Sequence, residues 1–377
     1  MKKMLAMTLA LALLLCGCGA SKAAETQPVT TAPAATQAPT TEATTEPTTE
    51  PTTVPTEPQV YRNPLNGEIL DAPFTGRIFA NTVSNMQENL PHVGVIHADV
   101  LVETFVNKNN IIRCLALFSD ISSVEAIGST RSTRPIFNQL AQHYDLILSH
   151  AGGSEQALND AANRGVENFN IDAWAIASQG TSYRDTEYNR SYENTLFGVG
   201  SGIKAYAESQ GYPMSLERDY GLTFTEDGTP ANGEDAGKIS LTFTYGEAKK
   251  ETIMTYDAQA DKYVYNQYGQ VMTDQITGET EMFTNVLIMN TNITTDGIYF
   301  VADFNAGGTG YYANGGKIIP INWTCAGDKE PFRFTTQDGT PLDLGVGNTY
   351  IGICTPESPV VYEAASPVAA ETQAVEG

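Results

Sequence analysis

The composition of the first sixty residues differs sharply from that of the rest of the chain, and this difference limits where a folded body can begin. Residues 19–60 contain no aromatic residue and carry a short repeat of Thr, Glu and Pro from Thr40 to Thr53. Such a segment cannot bury enough apolar surface to offset the conformational entropy that is lost on ordering. We therefore predict a disordered linker over residues 18–60, followed by a folded body.

The segment before this linker is typical of a bacterial secretion signal. An apolar run follows Lys2 and Lys3 and is too short to span a bilayer. It ends in Leu15-Cys16-Gly17-Cys18, which resembles the lipobox, a motif whose last cysteine becomes the lipidated N-terminus of the mature protein. We expect residues 1–17 to be a signal peptide and Cys18 to carry the lipid. The protein would then lie outside the cytoplasmic membrane and be anchored to it.

The charge and the cysteines of the chain exclude some partners. The 377 residues carry a net charge of −23 at pH 7, whereas nucleic acids attract basic proteins, so we expect no nucleic-acid partner. The five cysteines show no CxxC or Cys/His spacing, so we expect no metal site, and no motif indicates a cofactor. A disulfide between Cys325 and Cys354 is chemically permitted outside the cell.

The first half of the body alternates between strand and helix patterns. Pro135–Tyr144 has apolar residues four positions apart and a proline at its start, which predicts a helix. Asp145–His150 is an apolar run that is typical of a buried strand, and Ser154–Arg164 is predicted to be a helix with Ser154 as its N-cap. This order predicts an α/β domain over residues 61–215.

The second half of the body has a different pattern. From Tyr220 to Cys354 the chain consists of short segments, such as the alternating Ile239–Tyr245, which are separated by Gly, Asn and Asp turns. We predict a mostly antiparallel, β-rich domain over residues 216–358 and a disordered tail over residues 359–377. The predicted fold class is therefore α+β or α/β, with an α/β domain followed by a β-rich domain.

A polar loop before the predicted helix at Pro135 is a candidate anion site. It contains Arg131, Ser132 and Arg134. Guanidinium groups, hydroxyls and the free N–H groups of a helix N-terminus together favour a bound anion. The alternative is a capped helix with two arginines that lie at the surface or form ion pairs.

A second candidate loop lies at the carboxyl end of a predicted strand, where α/β proteins bind ligands. It contains His150, Gly152, Gly153 and Ser154, and it matches neither a P-loop nor a Gly-x-Ser-x-Gly motif. His150 is a candidate general base or anion contact. Alternatively, it is a structural histidine beside a turn that requires glycine.

A third candidate segment holds Arg184 and Asp185, followed by Glu193 and Asn194. It is rich in polar and aromatic residues and has no helical or strand period, so we predict an ordered loop. Arg184 and Asp185 either contact a ligand or form an ion pair with each other.

Glu103 is a further candidate because it lies at the end of an apolar strand, where a carboxylate needs a partner. We predict that it pairs with Arg131 or Arg134. The alternative is a role as a catalytic acid or base.

These motifs occur in a recognisable order. Ala98, Asp99 and Glu103 precede Arg131–Pro135, and later motifs follow at His150–Ser154, Tyr183–Asp185, Asp274–Gly278 and Trp323. The order resembles that of the YerB-like lipoproteins, a family whose two domains (DUF3048) have no assigned function. The resemblance covers residues 61–356. It implies an α/β fold followed by a β-rich fold and an extracytoplasmic location, but no established activity.

One position departs from the pattern of that family. The family usually shows Arg-x-Pro-His-Asn, whereas this chain reads Arg190-Ser191-Tyr192-Glu193-Asn194, so Glu193 takes the place of the histidine. A catalytic role of that histidine would be lost in this chain. A role in ligand contact or in holding the loop is one that glutamate can also fill.

Two functions remain after these observations. The favoured one is a membrane-anchored binding or accessory module of the cell envelope, which recognises an anionic small ligand or a partner protein in wall assembly. The alternative is an envelope hydrolase or transferase, in which Arg131 and Arg134 bind an anion while His150 or Glu103 moves a proton. The alternative requires these side chains to share one cleft.

Overall fold

The computed structural model describes residues 59–188 and 190–365. The predicted signal peptide, Cys18, nearly all of the predicted linker and residues 366–377 of the predicted tail lie outside this part. None of the helices in the described ranges has the length and apolar character that crossing a membrane requires.

Strands are short and numerous in the first half of the body, and three helices of ten residues each connect or cover them. The strands are β1 (Tyr61–Arg62), β2 (Ile69–Leu70), β3 (Phe79–Ser84), β4 (Val100–Phe105), β5 (Ile112–Phe118), β6 (Ile127–Gly128), β7 (Ile147–His150), β8 (Asn168–Asn170), β9 (Ser182–Arg184) and β10 (Leu196–Gly198). The longer helices are α1 (Pro135–Tyr144), α2 (Glu155–Arg164) and α3 (Gly200–Ser209). Shorter helical segments lie at Gln87–Asn89, Val95–His97, Ile121–Ser123, Trp174–Ile176, Ala177–Thr181 and Tyr192–Asn194.

The second half of the body consists of strands and one 3-10 turn at Phe304–Ala306 within the described residues. The strands are β11 (Thr223–Thr225), β12 (Glu234–Asp235), β13 (Lys238–Tyr245), β14 (Ala248–Asp257), β15 (Lys262–Gln267), β16 (Gln270–Val271), β17 (Met282–Phe283), β18 (Asn285–Asn290), β19 (Ile293–Asp296), β20 (Tyr299–Ala302), β21 (Gly308–Asn314), β22 (Lys317–Cys325), β23 (Phe332–Thr336), β24 (Asp343–Gly345), β25 (Thr349–Cys354) and β26 (Val360–Glu363).

A sheet of eleven strands contains strands from both halves of the body. Its order is β12-β22-β21-β18-β25-β4-β5-β3-β7-β8, with β23 beside β22. The halves meet where β25 runs parallel to β4, with Thr349 opposite Val100. The predicted segments 61–215 and 216–358 therefore contribute to one sheet.

The observed arrangement confirms the predicted fold class. In the first half, β3, β7 and β8 run parallel to one another, whereas β5 runs antiparallel to both of its neighbours, β3 and β4, so this part of the sheet is mixed and is connected through helices. The second half adds an antiparallel six-stranded sheet of order β16-β15-β14-β13-β26, with β17 beside β15. Three smaller sheets pair β1 with β2, β11 with β24, and β19 with β20, and a fourth joins β6, β10 and β9.

The central strands are buried along their whole length because both faces of the sheet are covered. Every residue of β4 and β5 is buried, which agrees with their nearly continuous apolar sequence. On one face, Tyr265 of β15 donates to Glu103 of β4 across 3.0 Å. On the other face, the hydroxyl of Thr82 in β3 donates to the carbonyl of Arg131, in the loop that leads into α1.

Two helices begin and end where the sequence predicts. Helix α1 spans Pro135–Tyr144 with proline at its first position. Helix α2 ends at Arg164 and is capped by Ser154, whose hydroxyl accepts from the N–H of Ala157 at 3.2 Å. Local sequence decides these limits, since caps and proline act within one turn.

Three expectations are corrected by the structure. Val360–Glu363, placed in the disordered tail, forms β26 and pairs with β13, because its β-branched and aromatic side chains suit a sheet edge. The segment around Arg184, predicted as a loop, begins with β9, which pairs with β10. Cys325 and Cys354 are both buried and free, and their sulfurs donate to the Gly327 carbonyl and to Asn290 respectively, so they form no disulfide.

Candidate functional site

Three arginines converge on the face of the sheet that α1 adjoins, and we call Arg113, Arg131 and Arg134 the arginine cluster. Arg113 projects from β5 and is 3% exposed. Burial lowers its pKa well below the usual value, and the positive charges of Arg134 and Arg131 lower it further. Burial also lowers the pKa of Arg134, which is half-buried. The guanidinium of Arg113 donates to the carbonyl of Ser132, which stands between Arg131 and Arg134 in the chain, and this contact brings Arg113 to the loop that carries the other two.

Main-chain carbonyls hold the arginine cluster in place. The guanidinium of Arg113 donates to the carbonyl of Ser132, that of Arg131 to Glu193, and that of Arg134 to Thr133 at 2.6 Å. Within the described ranges, no aspartate or glutamate oxygen lies within 4.0 Å of the cluster. Because buried positive charge is costly without a counter-charge, the cluster is suited to a bound anion.

Tyr299 brings the second half of the body to the arginine cluster. It lies in β20, and its ring centroid is 5.1 Å from the guanidinium carbon of Arg134, a cation–π distance. Sequence reasoning missed both Tyr299 and Arg113. The sequence did indicate Arg113, because a charged residue inside the apolar run Ile112–Phe118 requires a partner or a function. No sequence pattern indicated Tyr299.

The two loops that the sequence singled out lie side by side. The N–H of Ala151 donates to the carbonyl of Arg131 at 2.9 Å, and the N–H of Thr133 donates to that of Gly152 at 3.0 Å. Gly152 has a φ of +67°, which favours glycine, and its N–H donates to the side chain of Asn170 at 2.8 Å. Gly153 completes this loop before the cap of α2. The contacts bring the N-termini of α1 and α2 together.

His150 is held in a buried position beside this loop. It is 1% exposed, and its Nε2 lies 3.0 Å from Oδ1 of Asn168. Burial lowers its pKa, and the contacts with Asn168 and Gly152 oppose that shift. Its Nδ1 has no hydrogen-bond partner among the described residues. A neutral imidazole with these contacts fits a structural histidine and a general base alike.

The predicted pairing of Glu103 with Arg131 or Arg134 is wrong. Glu103 is fully buried, and its carboxylate pairs with Lys250 instead. In the β4–β5 ladder, Glu103 stands opposite Cys114, whereas Arg113 stands opposite Thr104. Neighbouring residues of a strand point to opposite faces, so Glu103 and the arginine cluster lie on different sides of the sheet.

The other groups around this carboxylate come from both halves of the body, and we call the set the Glu103 network. Besides Lys250, the carboxylate accepts hydrogen bonds from four side chains: Asn85 at 2.6 Å, Tyr350 at 2.6 Å, Thr252 at 2.9 Å and Tyr265 at 3.0 Å. Burial lowers the pKa of Lys250, and the attraction of Glu103 opposes this shift. Since the network and the arginine cluster lie on different faces, the cleft that a Glu103-based hydrolase or transferase requires is not formed.

The predicted ion pair between Arg184 and Asp185 is also wrong. Arg184 pairs with Asp172 at 2.6 Å, and its guanidinium lies 4.1 Å from the ring centroid of Tyr192. Asp185 instead accepts from the N–H of Glu187 at 2.9 Å, in a local turn. Because β9 ends at Arg184, Asp185 already belongs to the turn that follows the strand.

Glu193 meets the arginine cluster through its main chain. Its carbonyl accepts from Arg131, while its side chain is exposed. Asn194 is buried and donates to the hydroxyl of Ser191 at 2.9 Å, which holds the loop. Any residue at position 193 supplies the carbonyl, so the glutamate in place of the family's histidine leaves this contact unchanged.

Comparisons with known proteins agree with the fold. Models of the N-terminal and C-terminal domains of DUF3048, described as a protein of unknown function, match residues 65–213 and 241–351. The Bacillus subtilis (strain 168) protein named "Putative lipoprotein YerB" is 25% identical over 303 residues, which are 77% of this chain and 88% of that protein. The crystal structure of YerB from Bacillus subtilis is similar with a TM-score of 0.67 and 22% identity, covering 80% of this chain and 99% of that chain.

Proposed function

The chain belongs to the DUF3048 family of proteins of unknown function, and from this premise we propose that it is a binding module of the cell envelope whose arginine cluster holds an anionic ligand. The observation that carries the proposal is that Arg113 donates to the loop of Arg131 and Arg134 and that none of the three has a carboxylate partner in the described part of the chain. A ligand anion would supply the missing negative charge.

The overall charge of the protein makes this local cluster distinctive. The chain has 44 acidic and 21 basic residues, and nine ion pairs of a lysine or arginine with a carboxylate occur among the described residues. Five of the ten arginines pair with a carboxylate, as Arg333 does with Asp219, and outside the cluster Arg190 and Arg218 donate to uncharged oxygens instead. The cluster is distinctive because three of the five arginines that lack a carboxylate partner within residues 59–188 and 190–365 lie together in an acidic protein, which supports an anionic ligand there.

Binding of simple anions tests this function. Isothermal titration calorimetry would measure the affinity for inorganic phosphate and citrate at pH 7.5 and low ionic strength, since salt screens such contacts. We expect at least a tenfold loss of affinity in Arg131→Gln and in Arg134→Gln, because hydrogen bonds to charged groups contribute about 1.5–3 kcal/mol.

Arg333→Gln provides the matched control because it removes the same charge from a half-exposed arginine that pairs with Asp219. Its affinity should equal that of the wild type. If the wild type binds no anion, or if the control loses as much affinity as the cluster variants, the cluster is not an anion site.

We also propose that a lipid on Cys18 anchors the module to the outer side of the cytoplasmic membrane. The lipobox-like sequence supports this, together with the name of the Bacillus subtilis relative. Metabolic labelling with a palmitate analogue should mark the wild type and Cys16→Ser but not Cys18→Ser. Equal labelling of both variants would show that the anchor is not at Cys18.

A further inference from the structure

The arginine cluster also indicates the chemical class of its anion, an inference that rests on the function proposed above. Each of the three guanidinium groups donates to one main-chain carbonyl and has further N–H groups for a ligand. A carboxylate would bring one negative charge and two oxygens. A phosphate monoester brings up to two charges and three terminal oxygens, one for each guanidinium.

The surroundings of the cluster hold unused hydrogen-bond donors. Nε of Arg134 is buried and has no partner among the described residues. Ser132 and Tyr299, both half-buried, border the cluster through the Ser132 carbonyl and the Tyr299 ring. The buried Arg113 would form the base of the site, while the half-buried Arg131 and Arg134 would form walls that a ligand can reach from solvent.

The helix ends add to the positive potential. Arg134 is the N-cap of α1, whose first turn contains no acidic residue. The hydrogen bond from Thr133 to Gly152 places the N-terminus of α2 beside it, where Glu155 in the first turn offsets part of the positive potential of α2. Each N-terminus of a helix carries a partial positive charge and unpaired N–H groups, which favour phosphate.

We propose that the ligand presents a dianionic phosphate monoester to Arg113, Arg131 and Arg134. A diester is a poorer fit, since its phosphate keeps only one charge and two terminal oxygens. The phosphate belongs either to a soluble molecule or to a lipid headgroup, and the two sources share this chemistry.

Two small probes separate the monoester from the diester. Calorimetry at pH 7.5 would compare methyl phosphate, which is mostly dianionic at this pH, with dimethyl phosphate and acetate. We expect methyl phosphate to bind the full-length protein at least tenfold more tightly than either of the other two. We also expect Arg134→Gln and Arg131→Gln to remove this preference and Arg333→Gln to keep it.

The outcomes distinguish this inference from the function on which it rests. Equal affinity for dimethyl phosphate or acetate would overturn the monoester inference and leave the anion site standing, whereas no binding of any probe or of citrate would overturn both. Sedimentation with vesicles that contain phosphatidic acid, a monoester lipid, then identifies the source. Arginine-dependent sedimentation supports a lipid headgroup, and methyl phosphate binding without sedimentation supports a soluble ligand.

Discussion

Replacing Glu103 by glutamine perturbs the most heavily hydrogen-bonded carboxylate of the described part. The carboxylate accepts from five side chains, including Lys250, and donates none. Glutamine keeps the shape but replaces one acceptor oxygen with an NH₂ donor and removes the negative charge. Lys250, whose side chain is 5% exposed, would then be a buried cation without a counter-charge.

The expected cost follows from that unpaired charge. Removing one partner of a buried ion pair costs about 3–5 kcal/mol, a large share of the roughly 5–15 kcal/mol that stabilises a typical protein. Burial already lowers the pKa of Lys250, and loss of Glu103 would lower it further. Between this pKa and that of the unfolded chain, the unfolded state binds more protons, so the stability of Glu103→Gln rises with pH.

The effect is measured by urea unfolding, which is monitored through the fluorescence of the buried Trp323. We expect Glu103→Gln to lose about 3–5 kcal/mol at pH 7 and less at pH 9.5, where Lys250 is more easily neutral. The double variant Glu103→Gln, Lys250→Met should recover part of the loss, since it leaves no unpaired charge. A loss below about 1 kcal/mol at pH 7, or a double variant less stable than Glu103→Gln, would refute the reasoning.

Three further predictions concern backbone, histidines and thiols. Gly94→Ala should cost more than about 4 kcal/mol in urea unfolding, since a Cβ at φ +69° would lie 1.9 Å from a carbonyl oxygen, whereas Gly246→Ala, at φ +60° with open space, should cost about 1–2 kcal/mol; equal losses would contradict this. Burial lowers the pKa of His143 and of His150, so the unfolded chain binds more protons and the unfolding free energy should fall as pH drops from 7.5 to 5.5; His150→Gln should show a smaller slope, and an unchanged slope would exclude its contribution. The three described cysteines are free and buried, so a thiol reagent should modify them only after denaturation, and rapid labelling of the native protein would contradict their burial: Cys114, Cys325 and Cys354.

Local sequence patterns predicted the helices and strands of this fold better than they predicted which strands pair with one another. Helix α1 and the Ser154 cap of α2 were predicted correctly because proline, capping hydroxyls and helical spacing act over a few residues. The pairing of β25 with β4 joins Thr349 to Val100, and no local pattern specifies a contact at that sequence separation. The strand β26 was missed because its Val-Val-Tyr pattern is short and borders a tail rich in Ala, Glu, Pro and Val, while its pairing with β13 is a tertiary contact.

The same distinction between local pattern and tertiary contact applies to the candidate site. The sequence alone predicted that Arg131 and Arg134 precede a helix and that Glu103 requires a partner. Only the tertiary structure decided that Glu103 takes Lys250, that Arg113 reaches the loop of Arg131 and Arg134, and that Tyr299 lies against Arg134. The physical reason is that a buried charge requires compensation, and the sequence alone reveals this requirement. The identity of the compensating group depends on which strands pair and on which face of the sheet each side chain points to.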